Sequence, residues 1–205
     1  MTASTKNLLL AGLIAAATLG PVAPAHAHGK GHGDDDVVAP AVPANLEVPA
    51  GHHAYRIARA HGTQNQVCLP GASETGLVWS FFGPQATLYD DRDEQIATHF
   101  LSANPYEDGK GRPTWQHSKD TSAVWAEPIA SATDPDFVEA GAVPWLLLHV
   151  VGAEAGPAGG HKLSETTYIQ RVATTGGLTP AGPCYVPGAK LFVPYTTDYV
   201  FYRAD

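Results

Sequence analysis

Leu77-Val-Trp-Ser-Phe-Phe82 and Gln85-Ala-Thr-Leu-Tyr-Asp90, with Gly83-Pro84 between them, decide the fold class. In the first run Leu77, Trp79 and Phe81 fall on one face, the period-two pattern of a strand. Gly83-Pro84 reads as a turn. The same grammar continues in both directions. Runs rich in Val, Ile, Thr, Tyr, Phe or Trp lie at 53–59, 64–69, 95–101, 114–117, 122–130, 145–154, 165–173 and 197–203. Turn signals separate them, among them Pro70-Gly71, Asn104-Pro105, Asp134-Pro135, Gly159-Gly160, Gly176-Gly177 and Pro187-Gly188. Trp145 to Val151 is almost entirely apolar, which suits a strand covered on both faces. Glycines number 21 and prolines 17, scattered so that no run of 12 residues keeps a helical stripe. The expectation is a single all-β domain over 45–205, a sandwich or barrel of roughly 8–11 strands with little helix.

Composition excludes other classes. The chain has 205 residues, 44% apolar and 16% charged, too apolar for a disordered acidic tail. Its net charge of −8 comes with no Lys/Arg cluster, which argues against a nucleic-acid surface.

Residues 1–27 read as a secretory signal peptide. Lys6 precedes an apolar run of 13 residues, Leu8–Gly20, then Pro21 and the cleavage motif Ala25-His26-Ala27. Spanning a bilayer takes about 20 apolar residues, so the run is short for a transmembrane helix. The expected product is secreted or periplasmic, starts near His28 and has no transmembrane segment. Residues 28–44, HGKGHGDDDVVAPAVPA, read as a flexible linker. Gly29–Gly33 shows G-x-G-x-G, but no strand precedes it, so a dinucleotide fingerprint fails on context. Cys68 and Cys184 are the two cysteines, and an oxidising compartment favours their single possible intrachain disulfide.

Candidates for chemistry are few. His28 and His32 could chelate copper if His28 is terminal, though they sit on a Gly-rich tether. His52 and His53, as strand neighbours, point to opposite faces. Ser73 fails as a nucleophile elbow because Thr75 stands where Gly is required. Asp90–Glu94 and Asp134-Pro-Asp136 read as solvated turns, and Ile96 occupies the place of the Gly that a calcium loop needs. The strongest constellation is His99, Trp115, His117 and Asp120, with Glu127 nearby. Trp115 and His117 share a strand face, and pairing with the preceding strand would bring His99 up to them. Such a group could be a two-His, one-carboxylate metal site, a general base oriented by a carboxylate, an aromatic binding surface, or simply packed sheet residues. Arg171 lies inside an apolar strand, where an ion pair with a carboxylate is the expected arrangement and an anion contact the functional alternative.

Longer motifs carry a resemblance. Val143-Pro-Trp-Leu-Leu-Leu148, Thr167-Tyr-Ile-Gln-Arg-Val172, Gly176-Gly177, Cys184 and Val193-Pro-Tyr-Thr-Thr-Asp-Tyr-Val-Phe-Tyr202 resemble domain-of-unknown-function family 3455. Upstream, so do Pro43-Ala-Asn-Leu-Glu-Val-Pro-Ala-Gly51, Val67-Cys68, Gly83–Leu88, Thr98-His-Phe100 and Pro113-Thr-Trp115. The resemblance runs from about 43 to 202. It implies a secreted protein and supports the Cys68–Cys184 pairing, and it assigns no catalytic residues and no cofactor. The family often has Asp-Gly-Ser after the Trp strand; here the segment is Asp120-Thr121-Ser122.

Three functions follow as expectations. The first is an exported domain binding a small molecule or envelope component in a cleft lined by Trp79, Trp115, Trp125 or the Tyr-rich C-terminus. The second is a metal-dependent enzyme using His99 and His117. The third is a structural or stress-related envelope protein.

Overall fold

Eight antiparallel strands close on themselves in sequence order, the last pairing with the first. A computed structural model describes residues 37–71 and 76–205. The strands are β1 (His52–Pro70), β2 (Leu77–Tyr89), β3 (Gln95–Asn104), β4 (Lys110–His117), β5 (Ala123–Ala132), β6 (Trp145–Glu154), β7 (Tyr168–Gly176) and β8 (Lys190–Ala204). One 3-10 turn, Ala44–Leu46, precedes them. The expected all-β single domain is therefore a barrel. The signal peptide, the His28–His32 segment and Ser73 lie outside the described residues.

Ten expected runs become eight strands because two apparent breaks are strand interiors. Ala60–Thr63 continues β1, and Gly83-Pro84, expected to turn the chain, continues β2. Asn65 pairs with Gly83 and Gln66 with Phe81, so Phe82 is an extra, bulged residue. Gly83 takes φ 133°, and Pro84 needs no N–H at this irregular point. At Gly62 a Cβ would sit 2.1 Å from the Gln85 carbonyl oxygen, so only glycine lets β1 and β2 approach this closely. Glycine and proline here bend long strands around a barrel rather than end them.

The interior is filled from all eight strands. Ala58, Leu88, Ala97, Trp115, Val124, Leu148, Ile169 and Phe201 belong to one buried cluster. Leu163, from the β6–β7 connection, joins it and closes that end of the barrel. A second cluster lies on the outer face. Leu147, Val172, Val200 and Tyr202 meet Leu46 and Val138, with Ala39, Val42 and Val48 packed alongside. Gln170 anchors this cover, donating to the Leu46 carbonyl at 2.7 Å and accepting from the Tyr202 hydroxyl at 2.6 Å. The apolar run in β6 is thus covered on both faces: Leu148 belongs to the inner cluster, Trp145 and Leu147 to the outer one.

Cys68, in β1, and Cys184, in the β7–β8 connection, are disulfide-bonded with Cα atoms 5.8 Å apart. Backbone bonds from Cys68 N–H to the Ala189 carbonyl and from Gly188 N–H to the Cys68 carbonyl, both 2.8 Å, hold the same junction. The expected pairing is present. No helix among the described residues is long and apolar enough to cross a membrane.

Candidate functional site

The end opposite Leu163 holds a cavity of about 280 Å³. Its apolar wall includes Leu146, Leu148 and Trp115, and Phe81, Leu101 and Leu178 stand at its mouth. Its polar lining comes from Gln64, Gln66, His99, Arg171 and Tyr199.

The cross-strand register explains why His99 and Trp115 meet. They are direct partners between β3 and β4, so both side chains point to the same face, here the barrel interior. The rings stack with centroids 4.2 Å apart at 16°, and Tyr199 approaches both edge-on. His99 Nδ1 lies 2.9 Å from the Thr114 carbonyl oxygen. A carbonyl only accepts, so Nδ1 carries the proton and Nε2 of the neutral ring is an acceptor. Burial pushes the His99 pKa down to about 3; the bond to Thr114 opposes this and the Arg171 charge adds to it. At neutral pH the ring is an uncharged acceptor and a weak base.

His117 shares the interior face of β4 with Trp115 but lies two residues further along, toward the closed end. Its Nδ1 accepts the backbone N–H groups of Lys119 and Asp120, both at 3.2 Å. Burial holds its pKa below the ordinary value against the pull of the Asp120 carboxylate 3.2 Å away. Asp120 itself is a loop clamp. It accepts from the Ser122 hydroxyl at 2.7 Å, the Ser122 N–H at 3.1 Å and the Lys162 N–H at 2.8 Å. Burial works against its ionisation, but these bonds outweigh burial and lower its pKa. Glu127 is committed elsewhere, 2.8 Å from Arg112. The expected quartet therefore splits: His99 and Trp115 line the cavity, whereas His117 and Asp120 tie the β4–β5 turn to the β6–β7 connection. Among the described residues no group of three or more His, Cys, Asp or Glu side chains is placed to hold a metal.

Trp125 also stands apart from the cavity, donating from Nε1 to the Ser102 hydroxyl at 2.8 Å. Arg171 departs from expectation. None of the ion pairs among the described residues includes it; instead Nε and Nη2 donate to the Pro144 carbonyl at 3.2 and 2.7 Å.

Five buried side-chain polar atoms among the described residues have no hydrogen-bond partner. Three of them, Gln64 Nε2, Gln66 Oε1 and Trp115 Nε1, belong to residues lining this one cavity, where the Gln64 side chain approaches the Tyr195 hydroxyl. Leaving such an atom unsatisfied costs about 1–3 kcal/mol, so their convergence calls for an explanation. Sequence reading missed Gln64 and Gln66. Their Gln-x-Gln spacing puts both on one strand face, the available signal, but only barrel closure identifies that face as the inside.

A family model described as "Protein of unknown function (DUF3455)" matches residues 49–203. No curated protein and no solved structure matches the chain.

Proposed function

The chain belongs to this family of proteins of unknown function, DUF3455, and on that premise we propose that it is an exported β-barrel that binds a small organic molecule in the cavity at its open end. The observation that carries this reading is a cavity whose apolar wall, Trp115, Leu146 and Leu148, is accompanied by a few polar side chains, Gln64, Gln66, His99, Arg171 and Tyr199. A small-molecule site has this composition: apolar walls for affinity and a few convergent polar groups for orientation. The cavity volume of about 280 Å³ lies at the small end of the usual range of ~300–1,000 Å³. His99 supplies one more acceptor, fixed by its bond to Thr114. Its lowered pKa favours recognition over proton transfer, because a general base works best with a pKa near the operating pH.

Export rests on the apolar run and Ala25-His-Ala27 motif of residues 1–27. The Cys68–Cys184 bond suits an oxidising compartment. N-terminal sequencing of the exported protein should begin at or near His28.

The binding reading is tested on protein purified from its exporting host without denaturation. Native mass spectrometry should show a bound small molecule, released on unfolding. A structure of that material should place it between Gln64, Gln66, His99 and Trp115. A crystal structure in which ordered waters alone fill the cavity, from protein soaked with a small-molecule library that gives no hit there, would sink the reading.

A further inference from the structure

We propose that the cavity takes a small amphipathic carboxylate, its acid group against the Arg171 guanidinium and its apolar body along Trp115, Leu146 and Leu148. This rests on the reading of the cavity as the binding site and names the class of ligand it accepts.

The argument starts from charge. Among the described lining residues Arg171 is the one formal charge, and no carboxylate is among them. Arg171 takes part in none of the ion pairs among the described residues, whereas Arg59, Arg92 and Arg112 each reach a carboxylate. A partly enclosed guanidinium beside apolar walls has lost hydration that a neutral carbonyl restores only in part. Its bonds to Pro144 use one N–H on Nε and one on Nη2, and Tyr199 accepts a further one, leaving two of the five donors of a guanidinium for other partners. The bonds to Pro144 also hold the group in position, so a ligand would meet a pre-oriented donor edge.

The Tyr199 hydroxyl extends this polar wall. Tyr199 lies beside Arg171, and its hydroxyl is 3.3 Å from that of Tyr195. Burial raises the pKa of both phenols, so at neutral pH each stays protonated rather than becoming a competing anion. The positive charge of Arg171 also disfavours a proton on His99, beside the larger effect of burial.

One guanidinium with no second cation in the described lining matches a single negative charge. A carboxylate fits its planar donor edge, whereas a phosphate dianion would leave charge uncompensated in an aromatic and aliphatic surrounding. Gln66 and His99 are the other polar side chains of the lining to which a second polar group on the ligand, such as a hydroxyl, can turn. The mouth carries Phe81, Leu101 and Leu178, which are 54%, 42% and 47% exposed, so an apolar tail can continue outward from the cavity.

The test uses the full mature protein with its disulfide intact and two matched probe pairs: naphthalene-2-carboxylate with naphthalene-2-carboxamide, and decanoate with decanamide. Calorimetric titration should show at least one acid binding about 10- to 100-fold more tightly than its amide, the span expected for hydrogen bonds to a charged group. In R171Q the two members of that pair should bind within about threefold of each other, while R171K keeps part of the preference. If acid and amide bind the wild type equally, with chemical-shift changes at Trp115 Nε1–H, the cavity is a site and the carboxylate inference is wrong. If the acid preference survives in R171Q, the anion is held elsewhere and the inference is again wrong. If none of the four probes binds at millimolar concentration, the cavity reading itself falls. The wild-type comparison alone decides the question should the variants fail to fold.

Discussion

His99 and Trp115 face each other directly across β3 and β4, ring stacked on ring at 4.2 Å, inside the barrel and at the wall of its cavity. The pair couples stability to the candidate site. The imidazole is only 3% exposed, donates to Thr114 and is kept neutral by burial. The stacked arrangement therefore depends on the ring staying uncharged.

Acid should destabilise the fold through His99. Its pKa falls from 6.5 to about 3 on folding, so between those values the unfolded chain binds more protons. Stability accordingly rises with pH across that window and is lost as the pH falls below about 6.5. At about 1.4 kcal/mol per pH unit, the loss reaches roughly 2–3 kcal/mol by about pH 4.5, before most carboxylates titrate. His99→Asn keeps a donor for the Thr114 carbonyl without a titrating ring. Urea unfolding from pH 7 to 4.5 should show a loss smaller by that amount in the variant. Equal losses in both proteins would mean that His99 does not carry the effect.

Asp120 should matter for stability and not for the cavity. It accepts three hydrogen bonds that join Ser122 and Lys162. Asp120→Ala should cost about 2–3 kcal/mol, because buried donors lose a charged acceptor. Affinity for any cavity probe should change less than about twofold. A selective loss of probe binding with unchanged stability would restore Asp120 to the functional site.

Thr121 occupies a position that glycine suits better. Its φ is 60°, in the left-handed region that a β-branched residue rarely adopts. The Thr121 hydroxyl contacts the Asp120 carbonyl at 2.7 Å, a modest return for that conformation. Thr121→Gly should stabilise the protein by about 0.5–1 kcal/mol, since relief of the strain exceeds the entropy that glycine loses. That corresponds to an increase in Tm of roughly 1–4 °C, readable by calorimetry. Thr121→Ala, which keeps a Cβ, should gain less.

Reduction of Cys68–Cys184 should lower stability without removing the cavity. The bond closes a separation of 116 residues, for which chain entropy gives about 4–5 kcal/mol as an upper value. The double variant Cys68→Ser with Cys184→Ser should lose about 2–5 kcal/mol in denaturant unfolding. Cavity probes should still bind at temperatures where it remains folded. A change below about 0.5 kcal/mol would show that the Ala189 and Gly188 backbone bonds hold the junction unaided.

Much of the fold was legible in the residues because strand formation leaves a local signal. Alternation at Leu77–Phe81, the double-sided apolar run at Trp145 and the scatter of glycine and proline each report on backbone conformation within a few residues. The disulfide was equally legible, since a chain with two cysteines allows only one intrachain pair. Tertiary structure decided the rest. Whether Gly83-Pro84 turns the chain or bends a strand depends on the bulge against Asn65 and Gln66, a contact with a residue far away in sequence. Local pattern puts His99, Trp115 and His117 on one sheet face but not at one end of a closed barrel, and closure sends His99 to the cavity and His117 to the β4–β5 turn. Gln64, Gln66 and Arg171 look like ordinary strand residues until the sheet curls and aims them at the same space. Periodicity specifies on which side of a strand a group lies; which side becomes the interior, and which interior groups are left without partners, is a property of the closed sheet.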